Sequence, residues 1–172
     1  MNVRRAIIDD AEWVVDLSRR VQEALTASGS LQQIGPLPYA TVEASIRAGN
    51  VYLLESPSRP LGSVLVDPAI PTYRHHLTQW GLDALPGPFW YLHALMLEPK
   101  EQGKGLGKIF LDGVKELVIS NDNGMIVLDC WAGNNKLRDF YLHAGFKFHG
   151  VFPLKDFEVA VFLSSSLPGE QG

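Results

Sequence analysis

Cysteine is nearly absent from this chain. Its 172 residues include one, Cys130, so no internal disulfide can form and no cysteine-based metal site is expected. With Asp129 and Trp131 beside it in an apolar stretch, Cys130 reads as an inert core thiol. Long apolar runs are missing too: none approaches the roughly 20 residues of a membrane-spanning helix. The N-terminal MNVRRAIIDD has a basic pair with no apolar segment behind it, so no secretory signal is expected. Together these point to a reducing, cytoplasmic setting and to no membrane partner. Charge is only slightly unbalanced. A net charge of −4 argues against nucleic acid as a partner and leaves room for a local anion site. There is no repeat and no low-complexity segment. What remains is an ordinary globular composition, 46% hydrophobic and 20% charged, in a chain long enough for one domain with a sizeable core.

Periodicity and turn residues divide the chain into elements. VRRAII (3–8) reads as a strand. Asp9 and Glu12 have capping-box spacing, and Val14, Leu17, Val21 and Leu25 recur at helical intervals, so a helix is expected to about Ala27. Residues 28–38 read as a loop and Tyr39–Ala48 as a short helix stopped by Gly49-Asn50. VYLLES (51–56) and LGSVLVD (61–67) form an expected hairpin. Residues 68–88 hold Pro68, Pro71, Pro86 and Pro88 with Tyr73, His75, His76 and Trp80, and read as a long loop whose aromatics favour a structured lid. FWYLHALMLE (89–98) is a strand stopped by Pro99; Gly105 to about Ser120 is a helix; MIVLDCWA (125–132) is a buried strand. Asn134 or Asn135 caps a helix ended by Gly145, and FKFHGVF (146–152) and FEVAVFLS (157–164) close as an antiparallel pair. The expected order is β α α β β β α β α β β: one α/β domain over 1–166, with a mixed, mostly antiparallel twisted sheet flanked by helices, and a flexible tail over 167–172.

Gly103, Gly105 and Gly107 sit between a strand and a helix. Glycine permits a tight turn and close approach of a ligand to backbone N–H groups, and a helix start favours an anion. Lys104 and Lys108 add positive charge, and Lys100 is near. A pyrophosphate is the expected ligand. The nucleotide P-loop pattern is lacking, and the spacing is not that of a dinucleotide fold. Gln102-Gly103-Lys104-Gly105-Leu106-Gly107 instead fits [Q/R]-x-x-G-x-[G/A], the coenzyme A turn.

With this turn, the sequence resembles the GNAT superfamily of N-acetyltransferases. Leu95-Met96-Leu97-Glu98-Pro99 is similar to the family's strand end before the turn. Asn134, Leu137, Phe140-Tyr141 and Gly145-Phe146 resemble its signature after it. The resemblance spans residues 91–148 and implies acetyl-CoA as co-substrate, with no metal. It also implies that pantetheine pairs with the backbone of Leu95, Met96 and Leu97, whose leucine side chains are expected in the core. It further implies that the pyrophosphate sits on N–H groups of Gly103–Lys108, that Asn134 contacts the pantetheine arm besides capping its helix, and that Tyr141 protonates the departing thiolate.

The amine acceptor must lose a proton before attack. Two bases compete. His93 stands on a strand, Tyr91–Leu95, that resembles that of serotonin N-acetyltransferase. Asp129 matches the acidic base of the ribosomal-protein N-terminal acetyltransferases. Alternation puts His93, Leu95 and Leu97 on one face unless the strand is bulged. His93 is slightly favoured because a histidine titrates near neutral pH, and a water relay without a dedicated base is a third route. His143 and His149 read as structural or exposed. Gln32, Gln33, Tyr39, Tyr73, His75 and Trp80 are the expected acceptor lining, which suits a small amine or a peptide N-terminus. A coenzyme A-binding sensor without turnover is the alternative function. Exposed edge strands near the C-terminus would allow a homodimer.

Overall fold

Each strand reflects β-branched and aromatic runs bounded by turn residues, and each helix buries a stripe of apolar side chains. The computed structural model describes residues 1–85, 87–119 and 124–164. In chain order the elements are β1 (Asn2–Arg5), α1 (Ala11–Ala27), α2 (Tyr39–Arg47), β2 (Val51–Glu55), β3 (Pro60–Pro68), α3 (Arg74–Gln79), β4 (Phe89–Leu97), α4 (Leu106–Ile119), β5 (Met125–Trp131), α5 (Asn135–His143), β6 (Lys147–Leu154) and β7 (Phe157–Leu163). Short 3-10 turns occupy Ile8–Asp10 and Pro99–Glu101. The strands form a seven-stranded mixed sheet in the order β1-β2-β3-β4-β5-β7-β6. β4 and β5 are parallel, whereas β1/β2, β2/β3, β5/β7 and β6/β7 are antiparallel. The expected order holds with one addition, α3, inside the segment read as a loop. The expected helix end at Ser120, and the tail beginning at Leu167, lie outside the described residues.

The chain divides into two compact units, Met1–Val66 with His93–Glu116, and Asp67–Leu92 with Leu117–Gly172. In the first, Val14, Leu17 and Val21 of α1 and Val42 and Ile46 of α2 pack on Val51, Leu53, Leu65 and Met96. Each such side chain, fully buried, contributes about 1.5–3 kcal/mol. The start of α1 differs from the expected Asp9/Glu12 box. It is Asp10 that accepts the Ile7 N–H at 2.8 Å, while also pairing with Arg4 at 2.9 Å. The loop after α1 is tied down by polar side chains of that helix. Gln22 Oε1 accepts the N–H groups of Ile34 at 2.8 Å and Gly35 at 3.0 Å, and Ser18 Oγ accepts that of Leu37 at 2.9 Å.

In the second unit, Ala69, Leu77, Trp80 and Leu82 join Phe89, Val127, Val159, Val161 and Leu163 in one apolar cluster. Residues 69–82 are therefore rooted in a core through these four side chains rather than forming a lid. Trp80 is 2% exposed, which removes it from the expected acceptor lining. Two further bonds fix α3: Gln79 Nε2 donates to the Pro153 carbonyl and His149 Nε2 to the Trp80 carbonyl, both at 2.6 Å.

Gly62 of β3 marks a close approach. A Cβ there would lie 2.7 Å from Leu97 Cδ2, 2.8 Å from the Met96 carbonyl oxygen and 3.3 Å from Phe110 Cε1. Gly62→Ala is expected to destabilise the fold by about 1–3 kcal/mol, through overpacking. Thermal unfolding checks this, and an unchanged midpoint would show that β3, β4 and α4 separate without cost.

Candidate active site

The first unit carries the end of β4 and the glycine turn. Ala94 adopts φ +51°, a left-handed value that an L-alanine rarely takes, so the regular alternation of β4 is interrupted there. The buried residues of the strand, Phe89, Leu92 and Met96, fall at intervals of three and four rather than two. Met96 is thereby the core residue, 1% exposed, and Leu95 and Leu97 are half-buried, which corrects the expectation that both leucines are core. His93, next to the break, is also half-buried.

Beyond Pro99–Glu101 the chain turns through Gly103 at φ +80° and Gly105 at φ +78°, values that only glycine adopts without strain. No atom outside the adjacent residues lies within 4 Å of where a Cβ would stand at either position. The reason for glycine there is therefore the backbone path. Leu106 and Gly107 open α4, a helix of fourteen residues whose first N–H groups have no intrahelical partner. Gln102 is exposed, its amide 3.5 Å from the Leu97 carbonyl. Both lysines of the turn pair with carboxylates. Lys104 Nζ is 3.1 Å from Glu101, which also holds Arg59 at 2.7 Å, and Lys108 Nζ is 2.6 Å from Asp112. The lysines hold the Glu101 and Asp112 carboxyls below their ordinary range, chiefly through these hydrogen bonds. The lysine side chains are 58% exposed, and such surface pairs are weak enough for a phosphate to displace them. Glycine geometry, helix start and lysines together fit an anionic pyrophosphate.

The second unit carries Asp129, Asn134 and Tyr141. Asn134 Oδ1 accepts the Leu137 N–H at 3.0 Å, which makes it the N-cap of α5. α5 then buries Tyr141, 4% exposed, against Phe140, Phe146 and Phe162. Burial pushes the Tyr141 hydroxyl well above the ordinary phenol range, and Cys130 and Asp129 add to the shift. Half-buried Asp129 accepts a short hydrogen bond from the Tyr91 hydroxyl. The Tyr91 ring lies 4.4 Å from that of Tyr73, whose hydroxyl donates to Asp67 at 3.1 Å. Burial, then Asp67, raises Tyr73 to about 12. His75 and His76 sit on α3, with ring centroids 4.0 Å apart.

Asp129 and Tyr141 thus share one electrostatic neighbourhood. Tyr91 and Asp67 were not identified from the sequence. In the parallel ladder Tyr91 opposes Val127, which puts Asp129 two residues further along the same face. Alternation on each strand was legible, but the register between two strands separated by a helix was not.

The sequence model for the Acetyltransferase (GNAT) family matches residues 33–146. The chain belongs to this family. It is an acyltransferase whose co-substrate is acetyl-CoA. It is 30% identical over 149 residues to a protein of Bacillus subtilis (strain 168) described as the uncharacterized N-acetyltransferase YesJ, a match covering 85% of this chain and 81% of that one. Its fold is similar to a GNAT acetyltransferase structure from Listeria monocytogenes 4b F2365, with a TM-score of 0.76 at 24% identity, covering 94% of this chain and 92% of that chain. A structure of yncA from Salmonella typhimurium, described as a putative acetyltransferase with its cofactor acetyl-CoA, aligns with a TM-score of 0.67 at 14% identity, covering 96% and 95%. Among the described residues of the enzyme, no helix is long and apolar enough to cross a membrane.

Cys130 of the acetyltransferase is 1% exposed, and burial followed by Asp129 raises its thiol to about 12. At pH 8 the thiolate fraction is then about one part in ten thousand. A disulfide reagent such as DTNB is expected to leave the folded enzyme untouched at pH 8 and to titrate one thiol per chain in denaturant. Rapid reaction of the folded protein would contradict the assignment of Cys130 as inert.

Proposed function

We propose that the enzyme acetylates a primary amine, on a small molecule or at a peptide or protein N-terminus, by direct attack of the amine nitrogen on the thioester carbonyl of acetyl-CoA. The observation that carries this reading is the neighbourhood of Asp129 and Tyr141, an acceptor of protons and a donor of one. Asp129 takes the proton from the ammonium, the nitrogen bonds to the acetyl carbon, the carbon–sulfur bond breaks and the Tyr141 hydroxyl protonates the leaving thiolate. A free thiol has a pKa of about 8.5, well below a buried phenol, so this transfer needs the thiolate to be destabilised too. The same burial that raises Tyr141 raises the neighbouring Cys130 thiol, and a thiolate formed beside them meets the same surroundings.

The coenzyme assignments follow the family resemblance. The backbone of Leu95, Met96 and Leu97 pairs with pantetheine, and Asn134 adds a contact to that arm. The pyrophosphate takes the N–H groups of Gly103–Lys108, with Lys104 and Lys108 exchanging carboxylate for phosphate. His93 is the second candidate for the base, because the break at Ala94 beside it re-aims side chains on β4. Gln32, Gln33, Tyr39, Tyr73 and His75 remain candidates for the acceptor lining.

Thiol release from acetyl-CoA, followed against polyamines, aminoglycosides, amino acids and short peptides, tests the reading. Tyr141→Phe is expected to lower kcat by about 100-fold while coenzyme affinity is retained. Asp129→Asn is expected to do the same, and His93→Gln to act weakly; the reverse order would make His93 the base. Tight acetyl-CoA binding without release on any amine would replace the enzyme by a sensor. Lys104→Ala with Lys108→Ala is expected to raise the KM for acetyl-CoA about tenfold, with kcat held, and more steeply at low salt.

A further inference from the structure

Asp129 is held as well as placed. The Tyr91 hydroxyl donates to Asp129 Oδ1. The ring of Tyr73 lies 4.4 Å from that of Tyr91, with the planes inclined by 36°. The Tyr73 hydroxyl is in turn anchored on Asp67 at 3.1 Å. The rings of His76 and Trp80 lie 6.5 Å and 6.3 Å from that of Tyr91, in the segment that the 2%-exposed Trp80 roots in the core.

We infer that Tyr91 is a positioning residue of the acetyl transfer: its hydroxyl keeps Asp129 ionised and aimed, and the Asp67–Tyr73 pair braces its ring. This rests on Asp129 being the base proposed above. A donor to the charged form of a carboxylate favours that form. Burial, with Asp129, drives the Tyr91 phenol far above its usual range, so it stays protonated and remains a donor at every working pH. Titratable groups that act with Asp129 include His76 on α3, Tyr141 on α5 and Cys130 on β5, with Arg138 of α5 near Cys130. Burial, then His75, holds the His76 pKa below the usual histidine value, so it brings no cation to Asp129 at neutral pH. Tyr141 and Cys130 are neutral there as well. His76, Tyr141 and Cys130 thus bring no positive charge to Asp129, whereas the Tyr91 hydroxyl gives its carboxylate a hydrogen bond.

Tyr91→Phe removes the hydroxyl and keeps the ring. In the full-length protein, a carbon-13 NMR titration of the Asp129 carboxyl is expected to show its midpoint about one unit higher in Tyr91→Phe than in the parent. The acid limb of the kcat/KM profile should move the same way, with acetyl-CoA affinity nearly unchanged and the thermal midpoint at neutral pH lower by a few degrees, as a one-unit rise in the folded state implies. A purely structural tyrosine would move neither titration. Tyr73→Leu, which removes the brace and leaves the Tyr91 hydroxyl, is expected to give a smaller rise, and it carries the same titration should Tyr91→Phe fail to fold. An unshifted Asp129 midpoint in these variants overturns the inference. Full turnover in Asp129→Asn would instead overturn the choice of base, and the NMR midpoint would still report whether Tyr91 holds the carboxylate.

Discussion

The left-handed conformation of Ala94 is the constraint on which β4 depends. An L-residue there costs on the order of 1–2 kcal/mol, so the surrounding packing must over-determine it. Its effect is to break the two-residue rhythm of a nine-residue strand. Before the break, Phe89 and Tyr91 pack in the cluster of Leu77 and Trp80; after it, Ala94 and Met96 pack in the cluster of Leu17 and Leu53. The boundary between the two compact units falls at Leu92 and His93, beside this residue. One strand thereby supplies apolar side chains to two cores and carries both Tyr91 and the segment proposed for pantetheine.

The two parts of the proposed machinery rest on opposite physics. The glycine turn is exposed, charged and built from backbone donors. It suits an anion that arrives with its own hydration and displaces surface ion pairs. The Asp129 neighbourhood is aromatic and poorly solvated, and its tyrosines and cysteine are all held in their neutral forms. In such surroundings a hydrogen bond is stronger and a misplaced proton costs more.

What the sequence made legible was local. Gly103 and Gly105 need a backbone only glycine adopts, Asn134 caps within three residues, and the apolar stripe of α1 has helical spacing; none of these needs a partner far along the chain. The remainder depended on distant partners. α3 has six residues among prolines, and its stability comes from burying Leu77 beside Trp80 rather than from propensity. Leu95 and Leu97 were misplaced because periodicity assumes an unbroken strand. The Tyr91–Asp129 bond depends on a register set across a helical crossover. The proposed coenzyme and proton-transfer roles, by contrast, came from motif resemblance, and the geometry adds the carboxylate's tyrosine partner to them.

Gly62 gives the coenzyme turn a mechanical character. Without a side chain at that position, Phe110 rests almost directly on the β3 backbone, beside the Met96 carbonyl and the Leu97 side chain. Phe110 lies one helical turn after Leu106, so the first turn of α4 is seated on the sheet rather than carried by a free loop. The glycine turn therefore borrows its stiffness from β3, a strand some forty residues earlier. A loop rich in glycine would ordinarily be soft; here it behaves as the short end of a clamped lever, whose fulcrum is a missing methyl group.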